Sequence, residues 1–213
     1  VRRDRLGLLG REMVYFETIG STNDVAAGLA SQGDREGTVV VADAQTAGRG
    51  RRGRTWFSPP SAGLYVSVVL RPSRASSSPE RATALLTLSA GVALAEALER
   101  VTGLGPAIKW PNDLLVGRRK LAGILAEGIA APHARGLQAV VLGFGINIMS
   151  AAYPPELSSI VTSLETELGR GVDRAAVCAE SLACLAARYD DLLAGRHDAI
   201  LDAWRDRAFG ARG

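Results

Sequence analysis

The chain has 213 residues, of which 47% are hydrophobic and 22% are charged, as in globular proteins that bury an apolar core. Its net charge of only +3 argues against the broadly basic surface of a nucleic-acid coat protein. The N-terminal stretch lacks the apolar core of a signal peptide, and the apolar runs fall short of a membrane span. The two cysteines lie on different sides of one predicted helix and are not expected to pair. These features predict a cytoplasmic protein in a reducing compartment.

The first three predicted elements are a strand, a helix and a strand. Residues 13–20 have the β-branched and aromatic character of a strand, and residues 38–45 form a second, more uniformly apolar one. Between them, Ser21 and Asp24 resemble a capping box at the start of a helix, and Gly33 is a suitable residue to end it. The second strand leads directly into a segment rich in arginine.

The middle of the chain predicts a third strand, a long helix and a hairpin. Residues 63–72 form the strand, and the helix runs from Ser78 to Gly103 with a proline at its first position. Residues 107–116 form a strand that a proline interrupts. A short turn then leads into residues 120–129, so that these two segments are expected to pair.

The last predicted elements are a strand with glycines at alternate positions near its end (137–148), an amphipathic helix (173–193) and a further helical piece (199–210). Strands outnumber helices through the middle of the chain, and hairpins lie beside helices. The sequence therefore predicts an α+β fold with a mixed, largely antiparallel central sheet flanked by helices. We expect residues 1–213 to form a single domain.

The arginine-rich segment AGRGRRGRTW (47–56) contains a G-x-G-x-x-G pattern, which is typical of dinucleotide-binding turns. That fold needs an apolar helix after the third glycine, and Pro59 and Pro60 exclude one here. Guanidinium groups among glycines instead favour an anion such as a phosphate or a carboxylate, and Trp56 favours a ring stacked beside it. A solvated basic loop and a short contact with single-stranded nucleic acid are the alternatives that this segment leaves open.

Three further polar groups interrupt apolar segments. KWPND (109–113) is either a bend in the core or a phosphate and magnesium site, in which Asp113 supplies a hard oxygen ligand. Lys120 opens an apolar strand and can neutralise a carboxylate or phosphate, and Asn147 ends a strand whose glycines allow close approach of a ligand. No histidine-based catalytic triad is supported. The combination favours nucleotidyl or phosphoryl transfer, which relies on positioning and charge neutralisation.

Four segments resemble, in their order and spacing, the biotin–protein ligases. They are STN (21–23), QTAGRGRRGRTW (45–56), KWPND with KLAGIL.E (109–127) and GFGIN (143–147). The arginine segment and KWPND…KLAGIL are specific in combination, whereas STN and G-x-G-x-N alone are weak. The resemblance extends from about Tyr15 to Leu164. It implies the catalytic fold that this family shares with class II aminoacyl-tRNA synthetases.

The resemblance also implies two groups of site residues. Those expected at biotin are Ser21, Thr22, Asn23, Gln45, Arg49, Gly50, Arg51, Lys120 and Gly123. Those expected at ATP and the adenylate are Arg54, Trp56, Asn112, Asp113 and Asn147. Within these groups, Lys120, Arg49 and Arg51 would be catalytic, Trp56 would stack on adenine, and Asp113 would hold Mg²⁺.

The implied reaction converts biotin and ATP, with Mg²⁺, to biotinyl-5′-AMP and pyrophosphate. Biotin is then transferred to a lysine of a biotin carboxyl carrier protein, and no prosthetic group is bound tightly. We expect no nucleic-acid or membrane partner, and either a monomer or a homodimer. Few residues precede the first strand, and the small C-terminal β-barrel of many family members is expected to be absent or truncated.

The sequence leaves three alternative functions. The nearest is a lipoate or octanoate protein transferase of the same fold superfamily, although its glycine- and arginine-rich motif with a downstream histidine is not found. The second is a nucleic-acid-binding module that uses the arginine segment, which would show steep salt dependence and no need for ATP. The third is a catalytically inactive binding protein that sequesters its ligand.

Overall fold

The structure is a computed structural model that describes residues 3–33, 35–131, 136–150 and 153–210. Within these ranges the strands are β1 (Glu12–Ile19), β2 (Thr38–Gln45), β3 (Gly63–Leu70), β4 (Ala107–Lys109), β5 (Asp113–Val116), β6 (Arg119–Ala130) and β7 (Leu137–Asn147). The α-helices are α1 (Thr22–Ser31), α2 (Pro79–Thr102), α3 (Pro155–Ser158), α4 (Leu164–Leu168), α5 (Arg174–Leu193) and α6 (His197–Arg205). Short 3₁₀ segments are Arg3–Gly10, Arg51–Gly53 and Pro72–Arg74.

All of these strands belong to one sheet, in the order β1-β2-β3-β7-β6-β5-β4. Only β1 and β2, which α1 connects, run parallel, and each of the other neighbouring pairs is antiparallel. The crossover through a helix explains the parallel pair, since two parallel strands cannot be joined by a tight turn. The prediction of an α+β fold with a mixed, largely antiparallel sheet is confirmed.

Several predicted elements differ in detail. The segment 107–116 is not one interrupted strand: β4 and β5 pair with each other across a turn that contains the cis Trp110–Pro111 peptide bond. The expected pairing with the next segment is present as β5–β6. The last helix covers 197–205 rather than 199–210, and the segment 3–10, α3 and α4 were not predicted.

The start of α1 also differs from the prediction. Ser21 occupies the N-cap position, but its side chain makes no capping hydrogen bond to any residue that the structure describes. Asp24 forms an ion pair with Arg49 instead of completing a capping box. The backbone N–H of Thr22 is satisfied from outside the helix, because it donates to Gln45 Oε1 at 2.8 Å. The polar residues at this helix end therefore bond to neighbouring elements rather than close a local cap.

The two faces of the sheet are covered unequally. On one face, α2, α5 and α6 pack on alternate residues of the central strands, including Val66, Val68, Leu142 and Ile146. On the other face, α1 covers only a small cluster in which Ala26 and Ala30 meet β2, β3 and β7. Because side chains alternate along a strand, the residues next to this cluster on β3, β6 and β7 face the uncovered side.

α2 has the length and composition of a membrane-spanning helix, which differs from the expectation that every apolar run is too short. In its most apolar 18-residue window, 61% of the residues are buried inside the fold. Leu86, Leu94 and Leu98 of this helix belong to the main core. Its apolar character is therefore explained by packing between the sheet and α5.

Candidate active site

A cavity of about 720 Å³ opens on the side of the sheet that α1 covers only in part. Every residue that the sequence assigned to the site lines this cavity: Ser21, Thr22, Asn23, Gln45, Arg49, Gly50, Arg51, Arg54, Trp56, Asn112, Asp113, Lys120, Gly123 and Asn147. The sheet explains this convergence, because the N-terminus of α1, the loop after β2 and the facing sides of β5, β6 and β7 meet there. Their individual roles stay predictions.

Polar side chains from α1 and β2 form one end of the cavity. Thr22 donates from both its backbone N–H and its hydroxyl to Gln45 Oε1, at 2.8 and 3.1 Å. Gln45 Nε2 then donates to Ser58 Oγ at 3.0 Å, and Ser58 donates to the carbonyl of Trp56. This chain of hydrogen bonds fixes the Gln45 amide and ties the start of α1 to the segment that follows the arginine loop.

Asn23 lies beside this end and is buried between two sheet residues that were not assigned a role. Its Oδ1 accepts from Ser67 Oγ at 2.5 Å, and its Nδ2 donates to Glu127 Oε2 at 2.6 Å. Ser67 is polar within the apolar strand GLYVSVVL, which is a usable sequence signal. Glu127 belongs to the KLAGIL.E segment, but as a single carboxylate near the end of an otherwise apolar strand it resembles an ordinary solvent-facing charge.

Two glycines of GFGIN make room for side chains of the site itself. A Cβ atom at Gly143 would lie 2.0 Å from Asn23 Oδ1, and one at Gly145 would lie 2.5 Å from Trp56 Nε1. Gly123, the partner of Gly145 on β6, would place a Cβ atom 2.8 Å from Trp56 Cζ3. From the sequence, such glycines are expected to allow close approach of a ligand. The structure instead shows that Asn23 and Trp56 fill these spaces.

Lys120 and Asp113 form an ion pair near the indole of Trp56. The Lys120 Nζ to Asp113 Oδ1 distance is 2.7 Å, and Nζ lies 5.1 Å from the centroid of the Trp56 ring. Both charged side chains are largely buried. An ammonium group held between a carboxylate and an aromatic face is fixed in position, and it favours an additional anion on its open side.

The arginine loop is a short hairpin. Its two arms bond through Gly50 N–H to the Arg54 carbonyl at 2.7 Å and through Trp56 N–H to the Gly48 carbonyl at 2.9 Å. At its tip, Arg52 and Gly53 adopt positive φ angles of 58° and 73°, and such a backbone suits glycine better than arginine. The loop is therefore a defined structural element with its arginines on the outside.

Two side chains connect this hairpin to the rest of the cavity. Arg49 Nη2 lies 2.6 Å from Glu127 Oε2 and 3.0 Å from Asp24 Oδ1. Arg51 Nη1 donates to Asn112 Oδ1 at 3.2 Å, and Asn112 Nδ2 in turn donates to the Ile124 carbonyl. The hairpin is thus attached at one point to β6 and at another to the turn between β4 and β5.

Asn147 holds the backbone beneath the cavity. Its Nδ2 donates to the Thr162 carbonyl at 2.9 Å, and the Lys120 backbone forms a bridge with Val161 in the same region. Asn147 thus fixes the backbone beside Lys120, and it also borders the cavity. The proximity of Asn147 to adenosine stays a prediction.

Cationic side chains clearly outnumber carboxylates around the cavity. In addition to the paired residues above, Arg52, Arg54, Lys109 and Arg118 line it, and none of the four forms an ion pair with a carboxylate of the described ranges. The mouth also carries exposed apolar side chains, Trp110 and Ile160, which the sequence analysis did not assign. Such a mouth favours a polyanion that also carries an apolar ring.

The site contains few groups that could hold a metal ion. Among the residues that the structure describes, no three His, Cys, Asp or Glu side chains cluster. Asp113 is the one predicted metal ligand, and it faces the cavity beside Lys120. A single carboxylate suits Mg²⁺ that is carried mainly by nucleotide phosphates and does not suit a closed all-protein metal site.

Comparison with known families agrees with this geometry. A family model described as the biotin/lipoate A/B protein ligase family matches residues 15–147. This range includes the start of α1, the arginine hairpin, the Lys120–Asp113 pair and the glycines of β7. All of the candidate site residues therefore fall inside the matched region.

Curated relatives and solved structures give the same result. The bifunctional ligase/repressor BirA of Bacillus spizizenii is 40% identical over 205 residues, which are 95% of this chain and 61% of that protein. The biotin–acetyl-CoA-carboxylase ligase of Mycobacterium tuberculosis is 40% identical over 158 residues, or 72% of this chain and 55% of that protein. This chain thus spans between about half and three fifths of the length of these relatives.

The comparison with solved structures covers more of this chain than the family model does. A biotin protein ligase from Aquifex aeolicus, solved in complex with biotin and ATP, matches with a TM-score of 0.80 and 27% sequence identity. The alignment covers 93% of this chain and 79% of that one. Since the family model also extends over more than half of the sequence, this chain belongs to the biotin/lipoate A/B protein ligase family.

Proposed function

We propose that this chain activates biotin with ATP and transfers it to a lysine of a biotin carboxyl carrier protein. In the first step, a biotin carboxylate oxygen bonds to the α-phosphorus of ATP, and pyrophosphate leaves. In the second step, the lysine amine bonds to the carbonyl carbon of the mixed anhydride, AMP leaves, and the amine proton passes to solvent. The observation that carries this proposal is that one cavity joins a neutral polar end to a strongly cationic end.

The cationic end fits the first step. A carboxylate approaching a triphosphate meets strong charge repulsion, which we propose that Lys120 and Arg51 offset from this end and Arg49 offsets from beside Asn23. Arg54 and Asn112 are proposed to contact the phosphates, with Asp113 holding Mg²⁺ that arrives with ATP and helps to neutralise them. Lys120 is already fixed by Asp113 and Trp56, so that little reorganisation is required when the anions bind.

The neutral end fits the ring of biotin. Ser21, Thr22, Asn23 and Gln45 offer amide and hydroxyl groups there, and the first three are buried. The ureido group of biotin both donates and accepts hydrogen bonds, so that it can satisfy such groups. The ring of lipoate and the alkyl chain of octanoate cannot form such hydrogen bonds, so that the polar end stabilises bound biotin alone. This difference favours biotin over the lipoate or octanoate alternative.

The names of the relatives support the same substrates. The Mycobacterium tuberculosis relative is a biotin–acetyl-CoA-carboxylase ligase, and the Aquifex aeolicus ligase binds biotin and ATP. We propose that residues 1–213 form one catalytic domain, and that the acceptor is the biotin-carrying domain of a carboxylase. A cytoplasmic location, where both substrates and a newly made acceptor meet, is part of the proposal.

The test is biotin-dependent exchange of labelled pyrophosphate into ATP, with biotin, lipoate and octanoate offered separately. We expect exchange with biotin only, followed by labelling of an added carrier domain. Exchange with lipoate but not with biotin would contradict the proposal. Steeply salt-dependent binding of oligonucleotides, with no exchange, would favour the nucleic-acid-binding alternative.

A further inference from the structure

Glu127 contacts the cavity only through other residues. It lies on β6 opposite Val141, and it is not among the described residues that line the cavity. One carboxylate oxygen, Oε2, accepts from both Asn23 Nδ2 and Arg49 Nη2, each at 2.6 Å. We propose that Glu127 is a positioning residue that sets the orientation of Asn23 and holds Arg49 against β6. This inference deepens the ligase function proposed above and rests on it.

Glu127 first acts on the side-chain amide of Asn23. Its oxygen faces Ser67 Oγ and its nitrogen faces Glu127, so that each end of the amide has a partner of the opposite kind. Gly143 lies directly behind it and leaves no space for backward movement, since even a Cβ atom there would lie 2.0 Å from Oδ1. Without the Glu127 acceptor, only Ser67 distinguishes the two amide orientations. A hydroxyl group can both donate and accept, so it distinguishes them poorly.

The orientation of this amide decides what the cavity offers to a substrate. A flipped amide would exchange a donor for an acceptor at the polar end, where a ureido group requires a fixed pattern. Asn23 is buried, and a mismatch there would leave polar groups unpaired. Glu127 is therefore expected to act on the binding of biotin, through Asn23, without touching biotin itself.

Glu127 also holds the arginine hairpin through Arg49. Arg49 pairs with two carboxylates, Asp24 on α1 and Glu127 on β6, and only the Glu127 oxygen is shared with Asn23. The Glu127 side chain is 33% exposed and that of Asp24 is 59% exposed, so that the Glu127 pair is the less screened of the two. Glu127 thus connects the hairpin and the start of α1 through a single atom.

Three substitutions separate these effects. Glu127→Ala removes the shared acceptor, whereas Glu127→Gln keeps an acceptor oxygen and removes the negative charge. Asp24→Asn is the matched control, because it weakens the other ion pair of Arg49 and leaves both partners of Asn23 in place. Thermal unfolding of each variant establishes that it is folded.

The kinetic readout is the pair of KM values in biotin-dependent pyrophosphate exchange. We expect Glu127→Ala to raise the KM for biotin about tenfold, the size expected for one hydrogen bond to a charged group, with little change in the KM for ATP. Glu127→Gln should give a KM for biotin between those of the wild type and Glu127→Ala, because its amide can donate as well as accept, and Asp24→Asn should leave the KM for biotin unchanged. An unchanged KM for biotin in folded Glu127→Ala would overturn the role at Asn23.

Two further measurements do not depend on activity. The side-chain amide signal of Asn23, identified by its loss in Asn23→Asp, should exchange its protons faster with water in Glu127→Ala than in Glu127→Gln. Hydrogen–deuterium exchange of residues 48–56 should increase in both Glu127 variants. If Glu127→Ala does not fold, unchanged exchange of this hairpin in Glu127→Gln overturns the inference. A wild-type chain without pyrophosphate exchange would defeat the ligase proposal, and these two measurements would still decide the role of Glu127.

Discussion

Lys120 and Trp56 are the two residues on which the proposed chemistry of the cavity depends most directly. Lys120 is fixed between Asp113 and the indole face, and Trp56 itself rests on Gly123 and Gly145. Each side chain is therefore positioned by a neighbour that sequence reasoning also assigned to the site. A substitution at either position should therefore reduce the activity more than it reduces the stability of the fold.

Lys120→Ala should lower biotin-dependent pyrophosphate exchange by at least about a hundredfold, because an ammonium placed where charge develops contributes on that scale. The substitution leaves Asp113 without its cation, so the unfolding temperature of the variant must be measured alongside. Arg119→Ala is the control, since the neighbouring Arg119 pairs with Glu167 on the exposed side. Near-normal exchange in Lys120→Ala would remove Lys120 from its proposed role.

Trp56→Ala tests which ring the indole contacts. If it stacks on adenine, as the sequence predicts, the KM for ATP should rise about tenfold and the KM for biotin should change less. Trp56→Phe should recover most of the loss, because it keeps an aromatic face. A rise confined to the KM for biotin would place the indole against the biotin ring, a placement that its contact with Gly145 beside the Asn23 end also allows.

The arginine hairpin is the element that we propose covers the cavity during the reaction. Its arms are held together by backbone hydrogen bonds, while Arg49 and Arg51 attach it to β6 and to the β4–β5 turn. A mixed anhydride of biotin and AMP is hydrolysed readily, and a cover that excludes water protects it. The hairpin should therefore control the escape of the intermediate more than its formation.

Arg51→Gly should release the adenylate into solution, because it removes the contact with Asn112 and adds flexibility to the hairpin. The measurable result is biotin on lysines of an unrelated bystander protein. Arg52→Gly is the matched control: Arg52 has a positive φ angle that glycine adopts without strain, and its side chain makes no ion pair with a described carboxylate. An Arg51→Gly variant that labels only its carrier protein would contradict the covering role.

Across the whole molecule, the 3₁₀ segment at residues 3–10 is fastened to the helical layer far from the cavity. Arg5 and Arg100 both pair with Glu180 of α5, and Leu9 is buried in the main core. The hydrogen bonds and charges of Arg5, which has the larger effect, and Arg100 together lower the pKa of Glu180 from 4.5 to about 2, against the opposing effect of burial. The charged form of Glu180 therefore stabilises the folded state.

The sign of the resulting pH dependence follows from this depressed pKa. The stabilisation is present above pH 4.5 and is lost as the pH falls from 4.5 towards 2. We expect Glu180→Gln to lose about 1 kcal/mol of unfolding free energy at pH 7, a value reduced by the exposure of both arginines. Denaturant unfolding at pH 7 and pH 3 should show the difference from the wild type shrinking with acid. A constant difference would contradict the assignment to this charge.

Much of the architecture and the lining of the cavity could be predicted because several candidate residues end or open a strongly patterned segment. Lys120 opens an apolar strand and Thr22 opens a helix, and a sheet of this order brings such ends together. β4 and β5, in contrast, are too short to show a strand period, so that their pairing was missed. The polar Ser67 stands out within its apolar strand, but its partner Asn23, like the partners of Glu127, comes from a distant part of the chain, and spacing along the sequence does not reveal such contacts.

Gly123, Gly143 and Gly145 limit how the acid that this cavity is proposed to accept could be changed. At Gly123, Gly143 and Gly145 the sheet already presents only hydrogen atoms, so that no substitution there can deepen the cavity. Any larger side chain would instead push Asn23 or Trp56 outward. Redesign towards bulkier or longer acids would therefore have to begin at the walls, by trimming Trp56 or repositioning the hairpin, while the backbone beneath is left as it is.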